Sequence, residues 1–244
     1  MGNHIVVVAF YFAYFERTKM KLFVVALDEE VNDELLKEFN IQSINNTNYY
    51  FSKLNNDFAF IFSDVGKVNA AISLTKAICD LKNVELIINI GSCGCANKKI
   101  NILQTCLVSS AQFLDVDLSG FGYQLNQMRS NPKLFETNKI INEKIKNIIN
   151  IEHQNCIVGS SDSFISKNNY KKFLDIKNID LIDMELASLC ATANKFNISI
   201  ISIKVVSDSL FNKKQSISEY QENQKVFNRL ISCYILKIIQ ELNA

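Results

Sequence analysis

Proline occurs once and glycine seven times in 244 residues, so the composition leaves little room for long flexible linkers. Neither sign of charge is in excess: 26 Lys and Arg against 25 Asp and Glu give a formal charge of +1. No general electrostatic attraction for nucleic acid or a membrane surface follows from that balance. The seven cysteines are odd in number and scattered. Only Cys93 and Cys95 are close together, and no histidine is near them, which argues against a disulfide framework and a zinc site and for a reducing, cytoplasmic setting. The apolar run IVVVAFYFAYF near the N-terminus is too short to span a bilayer as a helix. It also lacks a preceding basic segment and a following small-residue cleavage site, so it makes a poor signal peptide. Met20 opens a more conventional start, MKLFVVALDEEV. Residues 1–19 therefore read as an N-terminal extension and residues 20–244 as one domain.

What is present is ordinary for a globular chain, 48% hydrophobic and 21% charged, and its length suits one α/β domain better than two. Strand and helix patterns alternate from Met20 onward. Residues 22–27 read as a buried strand ending in Asp28-Glu29-Glu30, and residues 31–39 as a helix. Residues 49–53 and 58–62 read as a hairpin. The second of these leads through Gly66 into a helix over 69–81. Residues 84–90 form a strongly apolar strand, with Gly91-Ser92-Cys93-Gly94 as a small-residue turn that lets backbone approach a ligand. A strand over 103–109 precedes a long irregular stretch, 111–132; a loop of that length inside a compact domain is usually functional or an interface. A helix over 138–149, a strand over 156–159 and a last helix over 218–242 complete the series. The pattern predicts an α/β fold with a mixed central sheet flanked by helices.

Residues 181–210 concentrate the chemistry. Asp183 and Glu185 stand where a loop becomes a helix, Asn197 is a plausible helix stop, and residues 198–206 are nearly continuous apolar sequence, the mark of a strand covered on both faces. That strand ends in Ser207-Asp208. In open α/β sheets, ligands bind beyond the carboxyl ends of strands. An isolated Asp there is more often a turn residue or cap. Here, however, Glu30, Gly66, Ser92, Phe164 and Asp208 each follow a different strand, and a mixed sheet brings several such ends to one rim. Carboxylates suit a reaction in which a leaving group is protonated and a water deprotonated across one bond. Small residues make room for a sugar, and an aromatic side chain offers a face for a flat base. These residues by themselves indicate a hydrolase or transferase that uses carboxylates.

Several blocks, in order, resemble the 5'-methylthioadenosine/S-adenosylhomocysteine nucleosidases of the purine nucleoside phosphorylase superfamily. They are MKLFVVALDEEV, VGKVNAA at 65–71, LIINIGSCG at 86–94, SDSFI at 161–165 and DMELASLCATANKFNISIISIKVVSD up to Asp208. Asp117 with Phe121-Gly122-Tyr123 fits the family's D-x-x-x-F-G-Y loop. Each block alone is a weak signal, and the ordered set over about residues 20–242 is specific.

The resemblance implies a nucleoside phosphorylase-like three-layer sandwich and cleavage of the bond between adenine N9 and ribose C1'. It makes Asp208 the general acid toward adenine N7, steadied by Ser207, and Glu30 the general base toward water. Glu185 would accept the ribose hydroxyls, with Met184 packed on the ribose, Phe164 stacked on adenine and the Ile165 backbone reading the base edge. Ser92 and Gly94 would shape the floor. Leu27, Val65 and Ile217 would line a slot for the 5'-thioether. Leu118, Phe121 and Tyr123 would come from a neighbouring subunit of a homodimer. No metal or organic cofactor is implied, and the partners are the adenine thionucleoside and water. Three departures stand out: Lys204 where the family favours Arg, Ser161 where it favours Gly, and Cys95 in place of a Gly. A phosphate-using phosphorylase of the same superfamily and a non-catalytic nucleoside-binding protein are the alternatives. The first needs cationic groups around an oxyanion, and the intact Glu30, Glu185 and Asp208 speak against the second.

Overall fold

The computed structural model describes residues 19–173, 176–212 and 214–242; the stretch read as an N-terminal extension, apart from Lys19, lies outside them. Ten strands join one mixed sheet: β1 (Met20–Val25), β2 (Phe39–Ile44), β3 (Thr47–Ser52), β4 (Phe58–Phe62), β5 (Val84–Cys95), β6 (Thr105–Phe113), β7 (Phe135–Glu136), β8 (His153–Ser160), β9 (Leu181–Asp183) and β10 (Ser199–Ser209). Among the described residues five α-helices accompany it: α1 (Asp33–Leu36), α2 (Lys67–Leu81), α3 (Lys139–Ile148), α4 (Leu186–Phe196) and α5 (Ser216–Glu241).

Alternation along the central strands sends apolar side chains to both faces. On one face Leu22, Val24 and Ile87 join Ala70, Leu74 and Ala77 of α2 and Leu186, Leu189 and Cys190 of α4. On the other, Phe23, Ile88, Ile201 and Val205 meet Leu35 of α1, Ile145 of α3 and Phe227, Ile231 and Ile235 of α5. The result is helix, sheet, helix. The sheet also closes on itself. β10 pairs with β6 and with β5, and β6, β8, β9 and β5 are linked in turn, so these five strands form a ring.

Four strands run in parallel through β1–β4, β1–β5 and β5–β10. Their carboxyl ends share one rim. β8 and β9 run the other way, because β9 is antiparallel to β5 and parallel to β8. Closure of the ring is what brings the segment after β8 to the same place.

Several boundaries differ from the sequence reading. The helix expected over 31–39 shrinks to α1, where Asn32 Oδ1 accepts the Leu35 N–H at 2.8 Å. Phe39 instead starts a strand and packs edge-on against Phe60, ring centroids 4.8 Å apart. The small-residue turn at Gly91–Gly94 is not a turn, since β5 continues through it, paired with Lys204 to Ser209 of β10. Asp208 likewise lies within β10 and not after it. A shift of register between Val206 and Asp208 marks an irregularity of the kind that re-aims a side chain. The helix stop at Asn197 is in place, with φ 54° in the left-handed region.

Candidate active site

Glu30 ends a short 3-10 turn, Asp28–Glu30, that follows β1. The turn folds its carboxylate back inside, where it is 4% exposed. Ser92 holds Glu30 Oε1 twice, from its N–H at 2.7 Å and its hydroxyl at 2.6 Å. The Ala26 N–H reaches Oε2 at 3.2 Å. Gly91 makes room for this carboxylate: a Cβ there would stand 3.1 Å from both oxygens. The glycines and serine of 91–94 therefore serve side-chain space within a strand.

Asp208 faces Gly94, whose added Cβ would be 3.5 Å from Oδ2. Burial raises its pKa, and the Ser207 hydroxyl pulls the other way. That hydroxyl has one proton and two acceptors in reach, Asp208 Oδ1 at 2.8 Å and the Cys93 carbonyl at 3.0 Å. When Asp208 is protonated it donates to Ser207 while Ser207 donates to Cys93, so every group is satisfied. When it is ionised the two acceptors compete for one proton. Burial thus acts toward the neutral acid, while the Ser207 and Ser216 hydroxyls act toward the ionised one.

Glu185 stands before α4, 7% exposed. Its Oε1 accepts the Gly66 N–H at 2.9 Å, at the start of α2, so a helix N-terminus faces it. Gly66 has φ 96°, a backbone that glycine adopts without strain. Burial, followed by the charge of Asp183, pushes the Glu185 carboxyl up to about 8, against the opposing pull of Lys204 and the Gly66 N–H. Lys204 is itself buried and forms an ion pair with Asp183 at 2.7 Å. Burial alone would lower its pKa, but Asp183 and Glu185 outweigh that and hold the proton on. Asp183 is pinned further by the Ser160 hydroxyl and the Leu186 N–H.

These groups enclose a cavity of about 360 Å³. Leu27, Glu30, Val65, Ser92, Gly94, Phe164, Ile165, Met184, Glu185, Ser207, Asp208 and Ile217 all line it. Leu118, Phe121 and Tyr123 do not; Phe121 is 83% exposed. Other lining residues had no site role in the sequence reading: Glu29, Tyr220, Gln221 and Gln224 among them, and Asp183, read only as an acid where a loop becomes a helix. The three on α5 sit at positions 220, 221 and 224, one helical face of a segment read only as an amphipathic helix. Tyr220 is pushed up to about 12 by burial and the Glu30 charge, with Ser92 acting the other way. Five carboxyl residues line the cavity (Glu29, Glu30, Asp183, Glu185 and Asp208), and no lysine or arginine does so among the described residues. Nor do the described residues gather His, Cys, Asp or Glu into a metal-holding group.

Such a site can protonate a leaving group at one point and accept a proton from water at another. Glu30 packs at Gly91 and Asp208 at Gly94 of the same strand, and both line the one cavity.

Comparison with known proteins agrees with this picture. The model of the Phosphorylase superfamily matches residues 22–240. The 5'-methylthioadenosine/S-adenosylhomocysteine nucleosidase of Staphylococcus haemolyticus is 32% identical over 203 residues, 79% of this chain and 87% of that protein. A Borrelia burgdorferi B31 structure assigned the same activity and solved with adenine bound superposes with a TM-score of 0.80. It is 26% identical, and the match covers 91% of this chain and all of that one. The futalosine hydrolase of Helicobacter pylori also superposes at 0.80, with 20% identity over 91% of this chain and 98% of its own, and so shares the fold.

Proposed function

The chain belongs to the Phosphorylase superfamily and, within it, to the 5'-methylthioadenosine/S-adenosylhomocysteine nucleosidases, and from that premise we propose how its residues divide the work. The reaction is hydrolysis of the N-glycosidic bond of 5'-methylthioadenosine and S-adenosylhomocysteine, releasing adenine and the thioribose product.

Asp208, whose burial raises its pKa, gives its proton to adenine N7 and makes the base a competent leaving group. Positive charge then grows on the ribose. Glu185 faces it and accepts the ribose hydroxyls, an electrostatic partner once its carboxylate is ionised. Glu30, its Oε1 fixed by Ser92, positions the attacking water and takes its proton. Phe164, 41% exposed at the cavity wall, offers a face to adenine, and Leu27, Val65 and Ile217 receive the thioether.

The observation that carries hydrolysis over phosphorolysis is the lining itself. A phosphate dianion entering this cavity would meet five carboxyl residues and no lining cation. Lys204, buried behind the lining, is already bound to Asp183.

Homodimeric assembly belongs to the same reading. Val68 and Ile72, four apart on α2, are 66% and 60% exposed, and Phe121 still more so; an apolar stripe of this kind suits a second copy. We also place the enzyme in the cytoplasm, in salvage of methionine and adenine. All seven cysteines are free thiols, and no described helix is long and apolar enough to cross a membrane.

The direct test is adenine release from methylthioadenosine in phosphate-free buffer, with Asp208→Asn and Glu30→Gln alongside. Release by the wild type and its loss in both variants supports these roles. Release only on adding phosphate would sink the hydrolytic reading.

A further inference from the structure

The cavity has two chemically different parts. Asp208, Ile165 and Ile182 are the buried part of its lining. Ile217, Glu29 and Gln221 are exposed, and with half-buried Gln224 they give the exposed part of the lining a polar rim. Glu29 and Glu30 are neighbours in one 3-10 turn with opposite fates: Glu30 is folded inward onto Ser92, and Glu29 points out. Gln224 Nε2 donates to Glu29 Oε2 at 3.2 Å, which steadies the carboxylate at the rim. Gln221 lies one turn earlier on the same face of α5.

A methyl group on the 5'-sulfur asks for nothing from this rim, because Leu27, Val65 and Ile217 already supply apolar contact. A tail that continues past the sulfur must cross it. If that tail ends in an ammonium and a carboxylate, the rim provides an acceptor with charge at Glu29 and an amide donor at Gln221. We propose that Glu29, steadied by Gln224 and with Gln221 beside it, determines specificity at the 5' end by selecting a zwitterionic amino-acid tail, that of S-adenosylhomocysteine, over a bare methylthio group. The inference rests on the nucleosidase reading above and adds which of its two substrates the rim favours.

The tail does not react, so its contacts are uniform binding and fall on KM with kcat little changed. The pair is solvent-exposed, so its worth is small: roughly threefold in kcat/KM, in the range of exposed ion pairs. The experiment measures adenine release from both substrates and takes the ratio of kcat/KM, S-adenosylhomocysteine over methylthioadenosine, for wild type, Glu29→Gln and Glu29→Lys. The ratio falls about threefold in Glu29→Gln and further in Glu29→Lys, and the wild-type ratio shrinks as salt is raised, since screening acts on the exposed charge. A ratio equal in all three proteins and insensitive to salt overturns the proposal while leaving the nucleosidase intact. No release from either substrate by the wild type overturns both.

Discussion

Lys204 Nζ lies 2.7 Å from Asp183 Oδ2, with both side chains 2% exposed. A lysine occupies the place where the resemblance leads one to expect arginine, and a short acid reaches it. The ammonium cannot make a planar two-point contact, so it acts as a single charge amid Asp183, Glu185 and Glu30.

Breaking a buried pair from one side costs about 3–5 kcal/mol, because the remaining charge is left without compensation. Lys204→Met is therefore expected to lower the urea midpoint sharply. The double variant Asp183→Asn with Lys204→Met removes both charges and is expected to recover a large part of that loss. Urea titrations of the three proteins decide it; a double variant no better than the single one would mean the pair is not the source.

Glu185 yields a pH effect with a definite sign. In the free protein its carboxyl sits at about 8, against 4.5 ordinarily, so at pH 7 it is mostly protonated. A bound ribose donates hydroxyls and favours the ionised form. Binding a non-hydrolysable thioadenosine analogue at pH 7 is expected to release a proton, and affinity rises with pH until it levels above about 8. Calorimetry in buffers of different ionisation enthalpy reads the release, and Glu185→Gln removes this component. The same shift means the folded state holds a proton that the unfolded chain has lost between these two values. The contribution of this group to stability therefore falls as pH rises through that window.

Two glycines separate catalysis from stability. An alanine at Gly91 would put Cβ 3.1 Å from both oxygens of Glu30, displacing the carboxylate proposed as the base while the surrounding sheet stays paired. Gly91→Ala is expected to lose about a hundredfold in kcat, the scale of a 1 Å misplacement, with a small change in Tm. At Gly159 the added Cβ would stand 2.5 Å from Leu114 Cδ1 and 2.7 Å from Ile179 Cδ1. Gly159→Ala is expected to cost about 1–3 kcal/mol by overpacking, with activity per folded molecule retained. Paired thermal melts and single-substrate kinetics distinguish the two outcomes.

The exposed apolar stripe of α2 tests the assembly. Val68→Asp with Ile72→Asp places charge on two side chains that do not enter the core. Sedimentation is expected to show a shift from dimer to monomer, with adenine release falling in step. A variant that sediments as the wild type does would remove α2 from the interface.

Much of this was legible in the sequence where a local signal existed. The apolar run before Asp208 and the stop at Asn197 mark β10 and α4 because burial on both faces and a left-handed residue leave plain traces. The Gly91–Gly94 segment was misread because glycines and a serine signal a turn locally. Their reason, room for Glu30 and Asp208, lies in residues distant in the chain. Phe39 was read into a helix because Leu35 and Phe39 are spaced as a helical pair, while its partner Phe60 sits on a strand. Tyr220, Gln221 and Gln224 gave no signal, since a helix face that meets a cavity looks like one that meets water.

Ring closure has a consequence for how the molecule comes into being. The Ser207 hydroxyl beside Asp208 reaches a carbonyl 114 positions earlier, and β10 is the strand that joins β5 to β6. A chain emerging from the ribosome holds Glu30 and its turn early, but lacks the acid and the closing strand until its last part is released. Pairing over such distances is slow, and until then β5 and β6 present open edges to other chains. A truncation or pause before β10 would therefore leave an aggregation-prone sheet with half a site, so soluble yield and activity should be lost together.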